Sequence, residues 1–223
     1  MKNNLVEVLK KFNRKERYWL INNALDNPSL GKTFIGRLSV ALSAERVEIP
    51  LDAWWAMDYH IDWLVGAFYT LRHGEKSLNR VFSNHKTEPP LIAGTQQDID
   101  FIIAFHNTLI LIEAKGEGSW SGKQLPEKIS RLNRLLGNQQ DDDGKFWSFN
   151  ELNLKVFFVL MSPDNPSYPL EDGCCWELKD GKNLNWIQLT MSEQGEPASF
   201  LKVIRCKDEE GTTGNEGTHF KIG

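Results

Sequence analysis

The sequence predicts an α/β fold, a sheet flanked by helices, and three features carry that expectation. Residues 98–115 read DIDFIIAFHNTLILIEAK, two short apolar runs joined by His106-Asn107. Such runs suit strands buried on both faces. Residues 51–72 and 120–136 carry apolar side chains at helical spacing. Residues 155–161 read KVFFVLM, a further buried strand. Strand, helix and strand then follow one another, so the last strand is expected to lie parallel to a neighbour through a right-handed crossover.

Taken in order, residues 4–25 read as one or two helices, with Leu5, Val8 and Leu9 on one face. Asn13-Arg14-Lys15-Glu16 has the form of a capping box restarting the helix through Tyr18, Trp19, Ile21 and Leu25. Asn27-Pro28 ends it, and Ser29 is placed to cap a third helix carrying Phe34, Ile35, Leu38, Val40 and Leu42. Lys10, Lys11, Arg14, Lys15 and Arg17 make a basic face, read first as a solvated helix surface, with nucleic-acid contact as the alternative.

Residues 51–72 are expected to form one helix capped by Asp52, with Trp55, Ile61, Leu64, Val65, Phe68 and Leu71 inward. Asp58 and Asp62 then lie one turn apart, His60 lies off their face, and Asp62 points inward. Residues 73–97 read as loop with a short strand or helix end at Arg80-Val81-Phe82, a turn over 86–90 and a bend at Gly94-Thr95.

The helix over 120–136 turns Leu125, Ile129, Leu132, Leu135 and Leu136 inward, tolerates Pro126 in its first turn and stops at Gly137. Gln124, Lys128, Arg131 and Arg134 occupy another part of its surface. The acidic run 141–143 lacks the alternating ligands of a calcium loop and reads as a solvated turn. Strands follow at 186–189 and 200–204, then a mobile tail from Lys207. The expected division is a helical extension over 1–50, a core over 51–206 and a tail over 207–223.

The charges of the central hairpin are its chemistry. With a two-residue turn, Phe105 faces Thr108 and paired residue numbers sum to a constant. Asp100 then faces Glu113 and Asp98 faces Lys115, all four on one side of the sheet. A four-residue loop keeps that parity; a three-residue loop breaks it. Two opposed carboxylates about 5 Å apart repel unless a cation joins them. The ordinary alternative is an exposed hairpin end with an Asp98–Lys115 ion pair.

This pattern resembles the PD-(D/E)XK nuclease superfamily: an Asp opening one strand, a hydrophobic hairpin, then Glu-x-Lys closing the next. Asp100 matches the Asp and Glu113-Ala114-Lys115 the (D/E)xK, with Ile99 in place of the Pro. The stretch is similar to the hairpin of archaeal Holliday-junction resolvases, and the resemblance covers about 40 residues. It implies a restriction-endonuclease-like αβββαβ core and Mg²⁺-dependent (or Mn²⁺-dependent) hydrolysis of phosphodiesters, in DNA ahead of RNA. On that resemblance Asp100 and Glu113 bind the metal, the Ala114 carbonyl adds a ligand, and Asp62 supplies a further acid, with Asp58 second. Asp98 is either a metal neighbour or the partner of Lys115. Lys115 orients the attacking water and stabilises charge, and Gln124, with Lys123 beside it, lies near the phosphate. Many members of the superfamily act as dimers, so a homodimer is among the implied partners. The alternatives are a noncatalytic nucleic-acid-binding or assembly module, and another hydrolase with the same carboxylates.

Composition bounds these readings. The 223 residues carry a formal charge of −4, with no global basic field to hold nucleic acid. Cys174, Cys175 and Cys206 form no C-x-x-C and are odd in number, which argues against a zinc site or disulfide framework. A reducing cytoplasm is the expected compartment. No signal-like core opens the chain and no apolar run is long enough to span a membrane. No Gly-rich phosphate loop, nucleophile elbow or H-E-x-x-H occurs.

Overall fold

The two apolar runs pair in the expected register and form the middle of a five-stranded sheet. The computed structural model describes residues 4–42, 47–83, 90–94, 97–117, 119–140, 146–168, 176–193, 196–197, 200–215 and 217–223. Its helices are α1 (Leu5–Phe12), α2 (Glu16–Ala24), α3 (Lys32–Leu42), α4 (Ile61–His73) and α5 (Gln124–Leu136). The strands β1 (Trp54–His60), β2 (Asp98–Phe105) and β3 (Thr108–Ala114) are antiparallel in sequence. Two short strands, β4 (Asn138–Gln140) and β5 (Phe146–Ser148), pair only with each other. Beyond β3, β6 (Lys155–Ser162) and β7 (Asn185–Gln188) add in parallel, giving the order β1-β2-β3-β6-β7. The fold is therefore mixed α/β, a mixed sheet flanked by helices.

Alternation along the strands feeds two cores. Ile102, Ala104, Leu109, Leu111, Phe158 and Leu160 pack with residues of α1, α4 and α5 such as Leu9, Phe68 and Leu132. Ile103, Phe105, Ile110, Ile112, Phe157 and Val159 pack with Ile35, Leu38 and Leu42 of α3. Burial on both faces is what the continuous apolar runs demanded. In α5 all five expected inward residues are buried, Pro126 lies in the first turn and Gly137 is the C-cap. At the hairpin turn only His106 takes the left-handed conformation, with φ 47°. The Asn107 amide donates to the Asn153 carbonyl (2.8 Å), and Lys155 N–H donates to the Asn107 carbonyl (2.9 Å), which pins the turn to the start of β6.

The expected helix over 51–72 is a strand followed by a helix. Residues 54–60 pair along β2, and α4 begins only at Ile61, with His60 rather than Asp52 at its N-cap. Asp58 therefore lies in β1, not one helical turn from Asp62, and its φ is 49°. The buried residues of β1 are Ala56 and Tyr59, three apart, so its burial mimics a helix. Strand pairing overrides that local pattern. The capping box at Asn13 is also not formed: Lys15 is the N-cap of α2, without a side-chain cap bond. Asn13 instead accepts the Lys15 N–H at 3.4 Å. Residues 79–83 form neither helix nor strand.

The chain divides into two compact units, Met1–Leu189 and Thr190–Gly223. In the second, β8 (Ser192–Glu193) pairs with β9 (Glu196–Pro197), and β10 (Val203–Cys206) pairs with β11 (His219–Ile222). The strand expected near 200–204 thus joins β11 rather than the main sheet, and residues 219–222 are strand where a tail was predicted. Thr95, Gly118, the acidic run 141–143, Cys174, Cys175 and most of the turn at 86–90 lie outside the described residues. No helix among the described residues is long and apolar enough to cross a membrane.

Candidate functional site

The β2–β3 ladder stops at Phe101↔Ile112, although both strands continue. β2 stays with β1 through His60↔Asp98, while β3 stays with β6 through Ala114↔Met161. The two strands therefore part between them, and Asp100 and Glu113 line the opening. Asp100 Oδ2 accepts the Ala114 N–H at 2.8 Å, replacing the backbone acceptor that the ladder no longer supplies. On its other side Asp100 stands level with Asp58, where the β1–β2 pairing also skips a rung and the backbone is left-handed. Asp tolerates that conformation better than most residues, but at some cost, and such strain gathers at functional positions.

The opening is a cleft of about 260 Å³ bordered by Asp100, Glu113, Ala114, Lys115, Gln124 and Lys128, among others. Lys115 follows β3 directly; its N–H donates to the Met161 carbonyl at 2.8 Å and its ammonium to the Ser119 carbonyl. Its Nζ lies 5.7 Å from the centroid of the Trp120 ring. Glu113 is buried, and one of its oxygens accepts from Lys128 Nζ at 2.6 Å. The same ammonium donates to the Asp98 carbonyl at 2.6 Å. Burial pushes the Glu113 carboxyl up to about 7; Lys128 opposes the rise and Asp100 adds to it.

The remaining predicted residues lie elsewhere. Asp62 is paired with Arg131, which also donates to Gln97 Oε1 (3.2 Å) and the Leu91 carbonyl (2.9 Å). Asp98 is held by Lys15 Nζ at 2.6 Å, with His60 Nδ1 3.2 Å from its other oxygen but out of line for a hydrogen bond. It is not paired with Lys115. Asp58 meets Arg17 at 2.8 Å. Lys123 is exposed at the N-cap of α5. Lys128 is the residue that sequence reasoning passed over. Gln124, Lys128 and Arg131 recur at i, i+4 and i+7, one stripe of α5 beside its apolar face, and that spacing was the available signal.

Does this set fit a metal? Glu113 Oε1 is buried and has no hydrogen-bond partner among the described residues. A buried anionic oxygen without a partner is costly. Two carboxylates are hard oxygen donors of the kind Mg²⁺ or Mn²⁺ prefers, and Mg²⁺ commonly rests on one or two of them. Among the described residues no three His, Cys, Asp or Glu side chains converge as a metal cluster. The donor set therefore fits a cation held by Asp100 and Glu113, not one caged by protein alone. Compared with protein-family models, curated proteins and solved structures, the chain matches none.

The raised Glu113 pKa has a defined consequence. A folded chain that keeps a proton the unfolded chain has released loses stability as pH rises. The window runs from the ordinary value of 4.5 to about 7. In EDTA, wild type is expected to lose stability relative to Glu113→Gln across that window and not above it. Urea unfolding at a series of pH values measures this; a constant difference across the window would contradict it.

Proposed function

We propose that the unit Met1–Leu189 is a metal-dependent phosphodiester hydrolase of PD-(D/E)XK type, with a restriction-endonuclease-like core, acting on DNA with Mg²⁺ or Mn²⁺. The observation that supports this best is the convergence of Asp100, Glu113, Ala114, Lys115 and Gln124 on one cleft where β2 and β3 part. The order of three antiparallel strands, a helix and a parallel strand supports the core assignment, with α4 inserted between the first two strands.

Asp100 and Glu113 would hold the cation, with the Ala114 carbonyl as a further oxygen donor. When bound, that cation neutralises phosphate charge and makes water more acidic. Lys115 brings a positive charge to the cleft, aimed by the Ser119 carbonyl, where it meets charge developing on the phosphoryl oxygens. Gln124, exposed at the start of α5, offers an amide N–H to a phosphate oxygen. A noncatalytic nucleic-acid-binding module is the second reading. The contact that favours it is Lys128 on Glu113, an internal countercharge that neutralises the carboxylate without a metal.

Incubating the full chain with linear, circular and branched DNA in Mg²⁺, Mn²⁺ or EDTA tests the proposal. Cleavage is expected only with metal. Lys115→Ala is expected to lower its rate about 100- to 1,000-fold, the loss typical of removing one preorganised charge-stabilising donor. Cleavage in EDTA, or full activity of Lys115→Ala, would refute the assignment.

A further inference from the structure

Beside the carboxylate cleft lies a second groove of about 510 Å³, and Trp120 borders both. Trp120, Tyr168, Pro163 and Pro166 supply its apolar walls, and the hydroxyls of Ser119 and Ser121 its polar rim. No Lys or Arg lines it among the described residues, whereas Asp164 does. A phosphate placed there would meet no countercharge. A flat, uncharged ring with a polar edge would meet aromatic surface and hydrogen-bonding groups together.

The walls are fixed before any ligand arrives. Trp120 Nε1 (3.4 Å) and Trp186 Nε1 (3.1 Å) both donate to Ser162 Oγ, which donates to the Asp164 carbonyl at 2.8 Å. Leu184 N–H donates to the Tyr168 carbonyl at 3.0 Å. The volume lies in the range of small-molecule sites. Lys115 Nζ sits 5.7 Å from the Trp120 ring centroid, so this groove and the reaction cleft share a wall.

We propose that the groove receives an unstacked nucleobase from a single-stranded DNA segment whose phosphate lies in the neighbouring cleft. This deepens the hydrolase reading, and the placement beside a scissile phosphate rests on it. Bases inside a duplex are stacked and paired and cannot enter such a groove, whereas single strands are commonly gripped by aromatic stacking. The substrate is therefore single-stranded DNA, or duplex DNA with a single-stranded junction or end.

The test is fluorescence anisotropy of the full chain with a fluorescein-labelled single-stranded oligodeoxynucleotide and with its hairpin duplex, Ca²⁺ replacing Mg²⁺. The single strand is expected to bind about tenfold more tightly than the duplex, the worth of one stacked base. Trp120→Ala is expected to lose that advantage while duplex affinity holds, and Trp120→Phe to keep most of it. If Trp120→Ala does not fold, Tyr168→Ala carries the same expectation. Equal binding of the two probes by wild type, or equal losses on both, overturns the proposal. Cleavage measured in parallel with Mg²⁺ separates the two readings. Trp120-dependent single-strand binding without cleavage keeps the groove and removes hydrolysis; cleavage with no Trp120-dependent preference removes the groove alone.

Discussion

Glu113→Gln is expected to reduce DNA cleavage by at least about 1,000-fold while leaving the chain folded. The amide keeps the shape of the side chain and can still accept from Lys128, so the contact between β3 and α5 survives. What it lacks is charge, and a neutral amide beside Asp100 leaves one carboxylate where two are needed to hold a divalent cation. A 1,000-fold loss corresponds to about 4 kcal/mol, within the several kcal/mol attributed to metal charge stabilisation. Removing a charge that burial disfavours should also relieve the fold at neutral pH. The pair of outcomes, lost activity with equal or higher stability, separates this residue from a purely structural one. Single-turnover nicking of supercoiled plasmid and a urea midpoint at pH 7.5 measure both. Activity within tenfold of wild type would remove Glu113 from the chemistry. Asp100→Ala should lose activity as severely, but with some loss of stability, because truncation leaves the Ala114 N–H without its acceptor.

The hairpin was legible because its signals are local and agree with one another: continuous apolar runs, turn residues and charges at one end. That Asp100 and Glu113 share one side of the hairpin, where both now line the cleft, followed from the turn length and the parity it sets. The parting of β2 and β3 did not, because it depends on β1 and β6 each holding its neighbour beyond Phe101 and Ile112. β1 was hidden for a different reason. Its buried residues fall three apart across a left-handed Asp58 and run on into the true apolar stripe of α4, so strand and helix merge into one periodicity. Asp62 was read as an inward-pointing acid of the site; in the structure it is partly exposed and held in an ion pair. Its partner, Arg131, lies 69 residues on, a separation that no pattern in one sequence reports.

That partner defines the second large effect. Arg131→Ala is expected to destabilise the chain by about 3 to 5 kcal/mol, the usual consequence of breaking a buried charged pair. The Arg131 side chain is 4 % exposed and its guanidinium ties α5 to Asp62 of α4, to Gln97 and to the Leu91 carbonyl just before β2. Truncation leaves all three without their donor. Arg131→Lys should recover little, since one ammonium cannot serve three acceptors in a planar fork. Asp62→Asn then decides between the two roles this acid can have. As a partner of Arg131 it should cost stability while cleavage per folded molecule stays within about threefold of wild type, because neither residue borders the cleft. As a further acid of the site it would do the reverse, losing cleavage with the unfolding midpoint unchanged. Urea unfolding and plasmid nicking on the same preparation distinguish the two, and the second outcome would return Asp62 to the site.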